Sequence, residues 1–215
     1  MSVVRFGGVR FYPDEIRDLA IAWIALGIAF TVFIFVVIGR PVFPDMLDAL
    51  ADPLFVEVFL TSMLTVGVGF LLHELAHKVV AVRFGQIAAF KADYGMLAIA
   101  IGAALAGFLF AAPGAVYHRG RISERENGLV SVAGPLTNLG LAVLFAPLAL
   151  FGGIVGDVGT LGVTINCVLA AFNMIPFGPL DGRKVLRWNK PVFAVVFVVS
   201  VVAAAGAFLV VGIPY

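Results

Sequence analysis

The sequence is poor in charged residues and contains a single cysteine. Only 13% of its 215 residues are charged and the formal net charge is +1, so the composition has no basic excess and we expect no nucleic-acid partner. The lone Cys167 excludes a disulfide within the chain and does not indicate a redox compartment. The sequence is 62% hydrophobic, which excludes an ordinary soluble domain and is typical of a polytopic membrane protein.

No signal peptide is apparent in the sequence, and we expect none; long polar segments are also lacking. The first apolar run, Leu19–Ile38, ends at Gly39-Arg40-Pro41 without the small-residue cleavage site of a signal peptide, so we interpret it as a retained membrane helix. No loop is long enough to form a separate soluble domain. We therefore expect one membrane-embedded domain over residues 1–215.

Apolar runs of about twenty residues predict membrane helices, because a helix of that length crosses the ~30 Å hydrocarbon core. The clear runs are Leu19–Ile38, Leu54–Val82, Ser131–Phe151, Val158–Ile175 and Val192–Val211. A further uncharged run, Gly95–Val116, is interrupted by glycines and Pro113, and a strand-like stretch, Gln86–Tyr94, precedes it. The sequence therefore predicts an all-α polytopic membrane protein with five or six membrane-embedded helical segments and a small re-entrant or β element after the second run.

The distribution of basic residues distinguishes five crossings from six. If Gly95–Val116 dips into the membrane and returns, thirteen of the fourteen Lys and Arg residues, all except Arg40, lie on one side. The positive-inside rule identifies that side as cytoplasmic. If the segment crosses fully, the basic residues of 83–91 lie opposite those of 183–190. The rule therefore favours five crossings in a multi-pass protein of the cell membrane.

The second apolar run contains the residues His73-Glu74-Leu75-Ala76-His77. Positions i and i+4 of a helix share one face, so both imidazoles can reach one zinc ion. Glu74 lies beside them and can take a proton from water without ligating the metal. The alternative, a solvated polar face, must explain three ionisable side chains at membrane depth, where such groups are usually functional. We therefore predict that His73 and His77 bind zinc and that Glu74 is the catalytic base.

A catalytic zinc site needs a third protein ligand, and the sequence offers two candidates. His118 stands in a polar segment, where a solvated histidine is the ordinary interpretation. Asp181 follows Pro176 and Pro179, which interrupt a helix and can aim a carboxylate inward, although a simple turn has the same composition. With five crossings, His73 is the sixteenth residue from Val58 and lies about 24 Å along the helix from there, near the side to which the next-to-last span delivers Asp181. This agreement favours Asp181.

Three motifs in this order resemble those of the site-2 protease family of intramembrane metalloproteases. They are the histidine motif 73–77, a Gly-Pro-x-x-Asn motif at 134–138, and a signature comprising Asn173, Pro176, Pro179, Asp181 and Gly182. The resemblance covers about residues 54–190, the core of the expected protease domain. It implies one Zn2+ per chain with Asp181 as third ligand, and a site-shaping role for the other four signature residues.

The resemblance also implies that Asn138 contacts the substrate or the oxyanion. An Asn in a membrane helix often simply bonds a neighbouring helix, so both roles stay open for Asn138. We interpret Asn166 as a helix-to-helix contact of this kind.

The predicted function is zinc-dependent cleavage of peptide bonds within or near transmembrane segments of membrane-bound substrates, as in regulated intramembrane proteolysis. The expected partners are a transmembrane protein substrate and the lipid bilayer, with the active site toward the cytoplasmic side. The resemblance suggests that Gly95–Val116 pairs with an extended substrate in a strand-like manner. The sequence predicts no oligomeric state.

Two other functions can use the same metal ligands. A metal transporter or sensor usually needs polar groups across the membrane, whereas the ionisable residues here cluster at one depth. A membrane zincin of another family would complete its site with a later glutamate, and the candidates Glu124 and Glu126 stand in a polar loop. Both remain alternatives to the intramembrane protease.

Overall fold

The computed structural model describes residues 3–40, 46–109, 113–212 and 214–215. Its helices are α1 (Pro13–Val37), α2 (Met46–Ala51), α3 (Pro53–Ser62), α4 (Val68–Arg83), α5 (Tyr94–Leu105), α6 (Glu124–Phe145), α7 (Gly153–Asn173), α8 (Asp181–Trp188) and α9 (Lys190–Gly206). Its strands are β1 (Val4–Phe6), β2 (Val9–Phe11), β3 (Ile87–Ala92) and β4 (Gly114–Arg119). A π-helical turn joins α3 to α4, another continues α9, and a 3-10 turn follows α6; they span Met63–Gly67, Ala207–Val211 and Leu148–Leu150.

In the described part of the chain, five helical segments are long and apolar enough to cross a membrane. They are Pro13–Val37, Pro53–Arg83, Glu124–Leu150, Gly153–Asn173 and Lys190–Val211. Each overlaps one predicted span, and the ends differ where a helix continues into polar residues. Helix α6 begins at Glu124 rather than Ser131 because Ser123 and Glu126 form a capping box there. The predicted all-α polytopic membrane fold is confirmed.

The segment after β3 is a mixture of helix and strand that returns to its starting point. Helix α5 has 12 residues, so at about 18 Å it is too short to cross the hydrocarbon core. Strands β3 and β4 are antiparallel, with Ala92 opposite Gly114. The Asp93 amide donates to the Pro113 carbonyl at 3.0 Å. The intervening chain, of which residues 110–112 lie outside the described part, therefore starts and ends at the same place, as a re-entrant element does.

Two local predictions need correction. His118, predicted in a polar segment without secondary structure, is a residue of β4 opposite Ala88. Between the first two predicted spans, where the sequence predicts no helix, the structure contains the short helix α2, while residues 41–45 lie outside the described part. The strand around His118 is stabilised by pairing with β3, a contact between segments distant in sequence that local composition does not reveal.

Two hydrophobic clusters hold the helices that surround the histidines. One joins α1, α3, α5 and α7 and includes Phe35, Val58, Ala100 and Leu161. The other joins the end of α7 to α6, α8 and α9 and includes Met174, Val132, Val185 and Val196. The first cluster holds α5 against α1. The second fixes α8, the helix that begins with Asp181.

Candidate metal centre

Two histidines and one aspartate come together between α4 and α8. The imidazole rings of His73 and His77 stand one turn apart on α4, with 4.6 Å between their centroids and 86° between their planes. Oδ2 of Asp181 lies 3.3 Å from Nε2 of His73 and 3.1 Å from Nε2 of His77. All three side chains are buried. The structure thus brings together the three residues that the sequence predicts as metal ligands.

The geometry and chemistry of these donors fit a zinc ion. One ligand atom from each of His73, His77 and Asp181 lies within 4.8 Å of the other two, which allows all three to coordinate one ion. Two neutral imidazoles and a carboxylate are a three-ligand set of the kind that catalytic zinc sites use. The three residues can therefore hold one metal ion.

Hydrogen bonds on the far side of each ring determine which nitrogen faces Asp181. Nδ1 of His73 lies 2.6 Å from Oδ1 of Asn138, and Nδ1 of His77 lies 2.7 Å from the carbonyl oxygen of Val130. Because a carbonyl oxygen only accepts, each Nδ1 donates its hydrogen, and the lone pair stays on Nε2. Both acceptors belong to α6, so this helix orients the two imidazoles.

The side chain of Asn138 is fully buried and engaged in hydrogen bonds on three sides. Its Nδ2 donates to the Gly69 carbonyl at 3.2 Å and to Oδ1 of Asn166 at 2.9 Å, while its Oδ1 accepts from His73. Asn138 therefore links α6 to α4 and α7 and orients one metal donor. Both amide hydrogens of Asn138 are already donated within the protein, so neither is free to bond a substrate or an oxyanion in this arrangement. The contact of Asn138 with substrate or oxyanion stays a prediction.

The close approach of α6 to the imidazoles requires glycine at position 134. A Cβ atom there would lie 2.5 Å from Nε2 of His73 and 2.6 Å from Cε1 of His77, well inside van der Waals contact. The Gly-Pro-x-x-Asn motif thus has two structural consequences: Gly134 leaves room for the imidazoles, and Asn138 bonds one of them.

A sharp turn after α7 brings Asp181 into the site. Pro176 and Pro179 are exposed in this turn, and Gly178 adopts φ +60°, a conformation that glycine reaches without strain. Burial raises the pKa of the Asp181 carboxyl, but His77 and His73 lower this pKa by more when their imidazoles are protonated, so the net shift is downward. The shift favours the ionised carboxylate, which is the form in which an aspartate binds a metal.

The remaining two signature residues, Gly182 and Asn173, make different contacts near this turn. Gly182 has the Met174 carbonyl directly against it, so that no side chain fits at this position. The side chain of Asn173 instead donates to the Leu169 carbonyl of its own helix at 2.9 Å. Gly182 thus permits the close return of α8, whereas the Asn173 side chain bonds within α7.

Glu74 is directed toward strand β4. Its side chain is buried, and its Oε2 accepts a hydrogen bond from the Val116 amide at 3.1 Å. Glu74 is not one of the three converging donors, so its carboxylate lies beside them without completing the metal site. The role of Glu74 as catalytic base stays a prediction. The contact with Val116 was not predictable from local sequence, because it depends on the β3–β4 pairing.

The other ligand candidates do not belong to the converging group. His118 lies on β4, and burial, together with the nearby charges of Lys184 and His77, lowers its pKa. Glu124 and Glu126 lie in the first turn of α6, where Glu126 forms part of the helix cap. The structure therefore gives no support to a zinc site completed by either glutamate.

A buried ion pair also lies next to the site, and the sequence analysis does not predict it. Glu15, on the first turn of α1, is 2% exposed and pairs with Lys78, which is 0% exposed and directly follows His77. The position of Lys78 beside the histidine motif is the one signal for it in the sequence. Nothing in the local pattern indicates its partner.

Comparison with known proteins supplies the reaction class. Putative zinc metalloprotease MJ0611 of Methanocaldococcus jannaschii is 38% identical over 192 residues, covering 87% of this chain and 91% of that protein. Putative zinc metalloprotease YwhC of Bacillus subtilis is 32% identical over 150 residues, covering 58% of this chain and 67% of that protein. No family model matches the chain, and no solved structure gives a significant match. Since the first of these relatives is matched over nearly its whole length, the chain belongs to a family of zinc metalloproteases.

Proposed function

We propose that the chain is an intramembrane zinc endopeptidase of the site-2 protease kind, which cuts membrane-bound proteins within or near their transmembrane segments. The observation that carries the proposal is the position of the metal donors. Both histidines lie on Pro53–Arg83, a helical segment long and apolar enough to cross a membrane. A metal site in such a segment is positioned to cleave peptide bonds that lie at membrane depth. Membership of the zinc metalloprotease family supports peptide hydrolysis as the reaction.

Four side chains take part in the proposed reaction, three as metal ligands and one as the base. His73, His77 and Asp181 would hold the zinc ion. Bound zinc supplies a Lewis acid that polarises the scissile carbonyl and acidifies water. Glu74 accepts a proton from the attacking water and passes it to the leaving amine. The Val116 amide holds one oxygen of the Glu74 carboxylate in place for these transfers.

Strand β4 offers a surface for the substrate. A helical substrate hides its peptide carbonyls in its own hydrogen bonds, so it must unwind before attack. In the described part of the chain, β4 pairs with β3 on one side, and on the other side the Val116 amide meets Glu74. A substrate strand added along this second side would pass the catalytic carboxylate. We include this mode of binding in the proposal.

The proposed location is the cell membrane, with several spans and the active site toward the cytoplasm. Five spans and one returning segment leave all Lys and Arg residues except Arg40 on one side. Asp181 begins α8, whose remaining residues include Arg183, Lys184 and Arg187. The metal donors are therefore close to the basic face, from which water can enter.

Reconstituted protein tests the proposal. The purified chain is placed in liposomes with a single-span substrate, and the products are mapped by mass spectrometry, with His73→Ala as the control. The proposal predicts one or more cuts within or next to the apolar span, and none with the control. Cuts confined to soluble parts of the substrate, or zinc uptake into the liposomes without any cleavage, would overturn it.

A further inference from the structure

Two carboxylates of α1 bind the outer edge of β3. Oε1 of Glu15 accepts from the Phe90 amide at 3.0 Å, and Oδ2 of Asp18 accepts from the Ala92 amide at 3.1 Å. These amides belong to alternate residues, as the amides along one edge of a strand do. Both carboxylates are buried. The first turns of α1 thus occupy the side of β3 that β4 leaves open.

The same Glu15 carboxylate bonds the metal-binding helix. Nζ of Lys78 lies 2.5 Å from each Glu15 oxygen and 4.1 Å from the centre of the Phe11 ring. Lys78 stands four residues after Glu74 on α4, so the two side chains share one face of that helix. Glu15 therefore joins the face of α4 that carries the catalytic carboxylate to strand β3.

These contacts form a closed ring. Phe90 and Val116 are direct cross-strand partners. The Phe90 amide points outward to Glu15, and the Val116 amide points outward in the opposite direction to Glu74. Helix α4 closes the ring, because Glu74 and Lys78 lie one turn apart on it. The distance between β4 and the catalytic carboxylate thus depends on how Glu15 holds β3.

We propose that Glu15 is a positioning residue for the cleavage reaction: with Lys78 it fixes the β3–β4 sheet at the place where the Val116 amide holds Glu74. This inference rests on the proposed function and adds to it residues outside the metal site. An ion pair buried this deeply contributes little net stability on average, and its best-attested use is to specify one arrangement among competing ones. Setting the register between a sheet and a helix is such a use.

Two variants separate positioning from folding. Glu15→Asp keeps the charge but shortens the side chain by one methylene, so that it cannot reach Lys78 and the Phe90 amide together. The double variant Glu15→Gln with Lys78→Met removes both charges, so neither is left buried alone, and keeps an oxygen that can accept from Phe90. The matched control is Arg40→Gln with Asp52→Asn, which removes a 2.6 Å ion pair whose Arg40 side chain is 56% exposed.

Three properties are measured on zinc-loaded protein: zinc content, hydrogen exchange at the Val116 amide, and kcat and KM with the single-span substrate. We expect both Glu15 variants to keep one zinc per chain, to exchange the Val116 amide at least about 10-fold faster, and to lose about 10- to 100-fold in kcat with KM changed less than about 3-fold. The control should match wild type in all three.

The outcomes separate the two proposals. Wild-type kcat and wild-type exchange in both folded, zinc-loaded Glu15 variants would overturn the positioning role and leave the proposed function intact. Faster exchange at Val116 with a lowered kcat supports it. If wild-type protein binds zinc but cuts no membrane substrate, the proposed function fails and the catalytic part of this inference fails with it, while the exchange data still decide whether Glu15 holds the sheet.

Discussion

Nε2 of His77 lies 3.1 Å from Oδ2 of Asp181, although the two residues arrive from different helices with α5, α6 and α7 between them in the chain. The contact exists only when α4, α6 and α8 are all correctly placed. Metal binding therefore reports on the arrangement of the membrane helices as well as on the ligands themselves.

Replacement of Asp181 by Asn tests the third ligand. The amide is nearly isosteric with the carboxylate but neutral and a weaker donor, so we expect zinc affinity to fall by more than about 100-fold and cleavage to be lost. Zinc content after dialysis against a competing chelator measures the effect. Asp48→Asn, at an exposed position on α2, is the control and should bind zinc normally. Unchanged zinc affinity in Asp181→Asn would remove this residue from the metal site.

Replacement of Gly134 by Ala tests the close approach of α6. The added methyl would collide with both imidazoles, so we expect zinc affinity to fall about 10- to 100-fold, as when contacts that orient a ligand are disturbed. Gly140→Ala in the same helix is a matched control, because nothing lies within 4 Å of a Cβ at that position. It should bind zinc normally and gain up to about 1 kcal/mol in helix stability. Equal zinc binding by both variants would contradict the described packing.

Replacement of Asn138 by Ala distinguishes its two possible roles. If Asn138 orients His73 as the hydrogen bond indicates, its loss weakens zinc binding about 10- to 100-fold. A side chain that only contacts substrate or oxyanion would leave zinc binding intact and lower kcat alone. Asn173→Ala is the control, because that side chain bonds within its own helix. Titration of the apo-proteins with zinc measures the zinc affinity, and cleavage of the single-span substrate by the zinc-loaded proteins measures kcat.

The parts of the fold that follow from hydropathy and charge were predictable. The predictions of a helical membrane fold and of a zinc cofactor are confirmed, because apolar runs and a pair of histidines one turn apart are local patterns. Local sequence alone did not identify Asp181 as a ligand, because a simple turn has the same composition. The predicted five-crossing topology favoured it by putting Asp181 on the same side of the membrane as the histidines. Only the packing of α8 could show its approach to the imidazoles.

The contacts of the sheet and of α1 were not predictable from local patterns. The run 95–116 is rich in small apolar residues, which are compatible with either helix or strand. Its last part forms strand β4 because it pairs with β3. In the sequence, Glu15 and Asp18 resemble ordinary acidic residues near the start of a helix, and their burial arises from β3 packing against them. Strand β4 and the buried carboxylates of α1 therefore depend on contacts between segments that are distant in the sequence, which local patterns do not reveal.

The most direct test of the account is the Glu74→Gln variant, in which zinc content and substrate cleavage are measured on the same preparation. Glu74 is not among the converging donors, so the variant should retain one zinc per chain while the rate of cleavage falls by about 10²- to 10⁴-fold, the usual contribution of a general base. Wild-type cleavage by zinc-loaded Glu74→Gln protein, or loss of zinc from it, would contradict the account.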